Sequence, residues 1–260
     1  MKTLLFRPNL RFLVPQMMTA LRVSLGTAAL IAVFRLEPGL AATLVIFGSL
    51  TDNLDGWLAR RLGSVSEFGA RFDYYADYLC YVVVPAALSF GLLHSRGSFL
   101  LLVILGLPLL TGAVRYSRNV GLVLKEDFEA LGSPGLGTVF YAFLVIALVF
   151  LREGGALSSV SLEAILVLGV PALSLLMLAP WRYPKLLAEP AFQVPVAAGL
   201  ILMPFVFSRF LAGLSIVVIV LYTAFSPLLI EPQGLKSEAR ADHSNQATRR
   251  HSKEVPHVGR

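Results

Sequence analysis

Long apolar runs broken by short polar segments dominate the chain, and no sustained period-two alternation of half-buried strands interrupts them. A membrane-crossing helix needs roughly 20 mostly apolar residues. Eight stretches meet that need, some with their flanks: about 14–34, 39–59, 73–93, 98–118, 136–151, 160–179, 191–207 and 209–230. The fifth and seventh are short, and Arg209 alone divides the last two, so a count of seven stays open. The pattern predicts an all-α fold, a polytopic transmembrane helical bundle of about eight spans. Residues 1–13 read as an interfacial N-terminal segment and not as a removed signal peptide, because no small-residue cleavage site follows a short apolar core. The transmembrane domain then runs over 14–230. From Glu231 the chain turns polar and loses all apolar periodicity, so 231–260 reads as a disordered cytoplasmic tail.

Composition agrees with the pattern. The 260 residues are 56% hydrophobic and 15% charged, with a mean hydropathy of +0.73, which excludes a soluble domain of this length. The single cysteine, Cys80, lies in an apolar run; it allows no intramolecular disulfide and reads as inert packing. With eight spans, 17 Lys and Arg fall on the side of the termini and four (Arg35, Arg96, Arg152, Arg209) on the other, leaving Arg22 inside the first span. That asymmetry places both termini in the cytoplasm, for a multi-pass protein of the inner membrane. Basic loops facing anionic headgroups account for a pI of about 9.7, with no nucleic acid required.

Against this background one segment stands out. DNLDGWLARRLGSVSEFGARFDYYAD, residues 52–77, holds four aspartates at the junction of the second and third spans, near the inner headgroup plane. Asp52 and Asp55 are three apart, and Asp73 and Asp77 four apart, so each pair shares a helix face. Two antiparallel helices can then aim four carboxylates at one point. Such groups repel one another unless cations neutralise them, and hard oxygen ligands without His or Cys suit Mg²⁺ or Mn²⁺. A pair of those ions commonly clamps a phosphoryl oxygen. Small residues nearby (Gly56, Ala59, Gly69) admit a close ligand, Arg60 sits where a guanidinium meets phosphate, and Ser66 adds a hydroxyl. An ion or proton transporter is the reading from another class. It would continue its acidic path across the membrane, whereas the outer halves of these spans offer only Glu37, Glu153 and Glu163 near their ends.

The series Asp52, Asp55-Gly56, Ala59-Arg60, Gly69, Asp73, Asp77 resembles, in identity and spacing, the signature of the CDP-alcohol phosphatidyltransferases. The resemblance implies a membrane enzyme that displaces CMP from CDP-diacylglycerol with an alcohol, and homodimers are usual in that family. It implies a two-metal site held by Asp52, Asp55, Asp73 and Asp77, with Asp77 also the catalytic base. Thr19, Gly56, Ala59, Arg60, Ser66 and Gly69 would bind the CDP-lipid; Thr19 belongs to VPQMMTALR, where Gln16 stands in place of the family's Asn. Eight spans fit the branches that use L-serine and choline, while AVRYSRNVGL with FEALGSPGLG after it, and LAPWRYPKL, resemble the serine branch. There Asn119 comes one residue early, and Ala130 and Gly132 stand where Gly and Pro are usual. Arg115, Arg118 and Ser133 are the expected acceptor contacts, since a serine carboxylate would want a cation. The same cations would serve inositol phosphate or glycerol phosphate. Choline is the other candidate, through an aromatic cage of Tyr74, Tyr75, Tyr78 and Tyr81. The eight residues between Arg60 and Gly69 are fewer than expected for that branch, which favours serine.

Overall fold

A computed structural model of the chain describes residues 10–64, 66–93, 99–124, 136–178 and 212–217. Among these residues the secondary structure is helical, with no strand. In chain order the helices are α1 (Leu10–Phe34), α2 (Pro38–Leu62), α3 (Glu67–Tyr78), α4 (Val84–Leu93), α5 (Phe99–Leu124), α6 (Leu136–Glu153) and α7 (Ser159–Leu178). A π-helical turn, Leu79–Val83, joins α3 to α4 in one continuous rod. Among the described residues, four stretches are long and apolar enough to cross a membrane: Leu13–Phe34, Glu67–Leu93, Phe99–Arg118 and Ser159–Leu178.

The first six expected spans therefore coincide with helical rods, four of which meet that length and composition. The stretches 191–207 and 209–230 lie outside the described residues apart from 212–217, as do residues 1–9 and the 231–260 tail. One boundary differs clearly. The third rod begins at Glu67 and not at 73, because Ser66 caps it: extended at φ −142° and ψ 153°, its hydroxyl accepts from the Gly69 N–H at 3.0 Å. Charged Glu67 and Arg71, paired one turn apart on the exposed side, hide this polar first turn from an apolar count.

Outward faces of α1, α5 and α7 carry exposed Phe34, Leu100, Leu110, Leu168 and Leu175, as a lipid-facing surface requires. The core lies around α6, which packs against α2, α4, α7 and the π turn. Tyr141, Ala142 and the whole run Val145–Val149 are completely buried, the mark of a helix surrounded by protein on all sides. In lipid the hydrophobic effect does not drive helices together, so close packing must. Small residues supply it: Ala29 and Ala32 of α1 and Ala41 and Ala42 of α2 are all buried in the tightly packed α1–α2 pair.

The α1–α2 connection is a Schellman turn. Leu36 is left-handed at φ 61°, and the Glu37 N–H reaches back to Ala32 O at 3.0 Å. Gly155 closes α6 in the same way at φ 71°, with Ala156 N–H bonded to Leu151 O at 2.9 Å. Between them, Glu153 Oε1 accepts from the Gly39 N–H at 2.9 Å, so a carboxylate at the end of α6 caps the start of α2. This end of the bundle is fixed by backbone caps, and the four aspartates occupy the opposite ends of α2 and α3.

Gly26 governs how near α1 comes to the π turn. A Cβ there would stand 2.9 Å from Cys80 Sγ and 3.1 Å from Leu79 Cδ2. Gly26→Ala is expected to destabilise the detergent-solubilised protein by about 1–3 kcal/mol through overpacking. Combined with Cys80→Ala, which clears that space, the penalty is expected to shrink; additive losses in thermal unfolding would refute the close approach.

Candidate active site

Three helices deliver the site. α1 contributes Thr19 and Arg22, one turn apart; α2 contributes Ser49, Asp52 and Asp55 on successive turns; α3 contributes Asp73 and Asp77. The π turn adds Tyr81. In an unbroken α-helix residues 73 and 81 drift about 80° apart at 3.6 residues per turn. The π turn, closed by the Val84 N–H on Leu79 O, slows that rotation and keeps Tyr81 on the aspartate face.

At the centre lies Arg22, with no exposed side-chain surface. Its Nη1 pairs with Asp52 Oδ1 and lies 3.0 Å from Asp77 Oδ1. Its Nη2 bonds Asp73 twice, at Oδ1 (2.5 Å) and at the backbone carbonyl oxygen (2.9 Å). Asp55 is held separately: Thr19 Oγ1 donates to its Oδ2 at 2.9 Å, with Pro15 O as a second acceptor at 3.2 Å. The Tyr81 hydroxyl stands 3.1 Å from both Asp52 Oδ2 and Ser49 Oγ, so it orients the carboxylate that Arg22 holds by its other oxygen. Cys80 Sγ is 3.6 Å from Arg22 O and packs against Gly26, an inert role as expected.

The donor set fits a divalent cation. One oxygen each from Asp52, Asp55 and Asp73 lies within 4.8 Å of the others, a grouping of hard ligands. Asp77 stands beside this trio and not in it, and its buried Oδ1 accepts no hydrogen bond. The group opens outward through Asp52 and Asp73, whose side chains are 30% and 38% exposed, while Asp77 is deeper at 16%.

The remaining expected site residues fall into several classes. Gly69 lies where α1 and α3 begin: a Cβ on it would meet Ser66 Oγ at 3.1 Å and Gln16 Nε2 at 3.2 Å, so Gln16 is a neighbour of the site despite replacing Asn. Ser66 uses its oxygen as the α3 cap. Gly56, Ala59 and Arg60 belong to the last turns of α2. Arg115 of α5 donates from Nη1 to Met177 O in the last turn of α7 at 2.8 Å, and Arg118 is exposed. Ser133 lies outside the described residues. The four tyrosines do not converge. Tyr75 is 71% exposed and Tyr81 is buried on Asp52, while Tyr74 and Tyr78 pack on Tyr116 at ring-centroid distances of 6.1 and 5.9 Å.

Arg22 is the residue the sequence reading did not place. Its signal was present, a lone cation in the middle of an apolar run, three residues after Thr19. Its partners lie 30 and more positions away, so only the packing of α1 on α2 and α3 joins them.

A family model described as CDP-alcohol phosphatidyltransferase matches residues 12–227. A CDP-diacylglycerol–serine O-phosphatidyltransferase of Helicobacter pylori is 25% identical over 178 residues, 68% of this chain and 74% of that protein. Its namesake from Methanocaldococcus jannaschii is 29% identical over 143 residues, 55% of this chain and 63% of that protein. An archaetidylserine synthase of Methanothermobacter thermautotrophicus is 28% identical over 176 residues, 66% and 69% of the two chains.

Outer-shell donors that orient carboxylate ligands typically control metal affinity. Tyr81→Phe removes the donor to Asp52 and keeps the ring, so Mn²⁺ affinity, read from the free-ion electron paramagnetic resonance signal, is expected to fall about ten-fold or more. An unchanged affinity would show that the hydroxyl does not orient a ligand.

Proposed function

The chain belongs to the CDP-alcohol phosphatidyltransferase family, and from that premise we propose that it transfers the phosphatidyl group of CDP-diacylglycerol to L-serine, releasing CMP. It is a membrane transferase of phospholipid biosynthesis. The observation that carries the catalytic reading is the meeting of Asp52, Asp55, Asp73 and Asp77 from two helices at one end of the bundle.

In this reading Asp52, Asp55, Asp73 and Asp77 would hold divalent ions, Mg²⁺ or Mn²⁺, which would supply positive charge to the pyrophosphate and to the phosphorus under attack. Asp77 is the base. Its buried Oδ1, which accepts no hydrogen bond and has the Arg22 Nη1 as an ionic neighbour at 3.0 Å, offers a lone pair to the acceptor hydroxyl. The proton passes to Asp77 as the acceptor oxygen bonds to the lipid-side phosphorus; the bond from that phosphorus to the bridging oxygen breaks, and CMP leaves with the electron pair. Thr19 keeps Asp55 in position, and Gly56, Ala59, Arg60, Ser66 and Gly69 form the CDP-lipid subsite at the headgroup plane. The enzyme works in the inner membrane as a homodimer with both termini cytoplasmic, its transmembrane domain spanning 14–230 between an interfacial segment and a polar tail.

Serine is favoured by two considerations. Relatives named as CDP-diacylglycerol–serine O-phosphatidyltransferases support that acceptor, and the aromatic faces a choline cage would need are engaged elsewhere, Tyr74 and Tyr78 with Tyr116 and Tyr81 with Asp52. Arg115 and Arg118 lie on α5, the helix that packs beside α3, and offer guanidinium groups to a carboxylate. The same contacts leave room for a phosphorylated polyol as the second reading.

Two experiments test these assignments. Asp77→Asn is expected to lower CMP release by about 10²- to 10⁴-fold with normal thermal unfolding; near-normal turnover would remove Asp77 from the role of base. CMP release from CDP-diacylglycerol by lipid-supplemented protein is expected with serine, and not with choline, inositol phosphate or glycerol phosphate. Turnover with one of these instead would reassign the acceptor, and no release with any of them would overturn the transferase reading.

A further inference from the structure

The guanidinium at the centre of the site touches the same carboxylates that form the cation group. Asp52 and Asp73 belong to the trio whose oxygens gather within 4.8 Å, and each gives its Oδ1 to Arg22. Asp77 gives its Oδ1 to the same Nη1 at 3.0 Å. A carboxylate oxygen held by a guanidinium is a poorer ligand for a metal ion, and a cation in the middle of the group repels another.

Arg22 is also incompletely satisfied for a permanent structural residue. Its Nε is buried without an acceptor, and Asp77 Oδ1 has an ionic neighbour but no hydrogen bond. Buried ion pairs kept for stability alone normally satisfy such atoms, because each orphan costs free energy. The stem, by contrast, is well seated. A Cβ on Gly48 would meet Arg22 Cγ at 3.6 Å, and the backbone carbonyl receives Cys80. A fixed stem whose head is held through Nη1 and Nη2 on carboxylates, with Nε left without an acceptor, is the arrangement of a group that can exchange partners.

We propose that Arg22 is a resident counter-cation: it holds Asp52, Asp73 and Asp77 together while the site is free of metal, and divalent ions displace its guanidinium from their oxygens. Metal binding is then an exchange of one cation for another, and affinity is set by competition with Arg22. Without this residue the gathered carboxylates would repel one another in the metal-free protein and would bind ions more tightly.

The inference rests on the aspartates being metal ligands, and the test separates the two claims. Mn²⁺ binding is titrated on the full chain in lipid nanodiscs, with thermal unfolding measured with and without the ion. Arg22→Met is expected to bind Mn²⁺ about ten-fold tighter or more, as removal of a nearby like charge requires, to unfold at a lower temperature without metal, and to recover most of that loss when saturated. Arg22→Lys keeps the charge but spans fewer carboxylates, and its affinity is expected to lie between the two. An Arg22→Met protein that binds Mn²⁺ no more tightly than the wild type overturns the proposal, since a merely structural arginine predicts equal or weaker binding. Should Arg22→Met fold in neither condition, Arg22→Lys decides: tighter binding than wild type supports the exchange, and equal or weaker binding refutes it. Absence of Mn²⁺ binding by the wild type would instead sink the metal reading itself.

Discussion

Carboxylates gathered where water is scarce repel one another, and among the described residues the repulsion is met by the guanidinium of Arg22. Arg22 faces Asp52, Asp73 and Asp77 at once and also holds the backbone carbonyl of Asp73. The other described donor to these three carboxylates, the Tyr81 hydroxyl on Asp52, is neutral. The geometry of the bundle follows from bringing that one side chain to that one place. α1 must lie close enough to α2 and α3 for an arginine in its middle to reach both, which requires small residues along the seam and leaves no space for a side chain at Gly26.

The two ends of the bundle divide the work. At one, backbone caps and the Glu153 bond to Gly39 lock α1, α2 and α6 by local, satisfied interactions. At the other, α2 and α3 end in polar turns that carry the aspartates, and the π turn keeps Tyr81 in register with them. A rigid scaffold at one end permits a densely charged site at the other, because the position of each carboxylate is set by the helix that carries it.

Much of this was legible in the sequence, for a definable reason. The spacing of Asp52, Asp55, Asp73 and Asp77 expresses the helical repeat directly, so their convergence could be read from position alone. The first six rods also followed from apolar run length. Features that depend on contacts between distant segments were not legible. The partners of Arg22, the capture of Arg115 by Met177 O and the packing of Tyr74 and Tyr78 on Tyr116 each join residues from different helices. The early start of α3 was missed on other grounds: its first turn, with Glu67 and Arg71, is too polar to register as part of a span, and only the Ser66 cap marks it.

This distinction also explains why the donor side of the reaction is easier to specify than the acceptor side. The aspartates and small residues between 52 and 77 come from one stretch of chain, folded as two adjoining helices, and a local motif can encode them in full. In the proposed reaction the acceptor side falls where α3 faces α5, and there the side chains are shared with packing. Tyr74, Tyr78 and Tyr116 form one aromatic group, and a quaternary ammonium would have to open it to gain their faces. Arg115 is bonded to Met177 O at the end of α7, so on this side the cation that the proposed acceptor would call on also serves the packing.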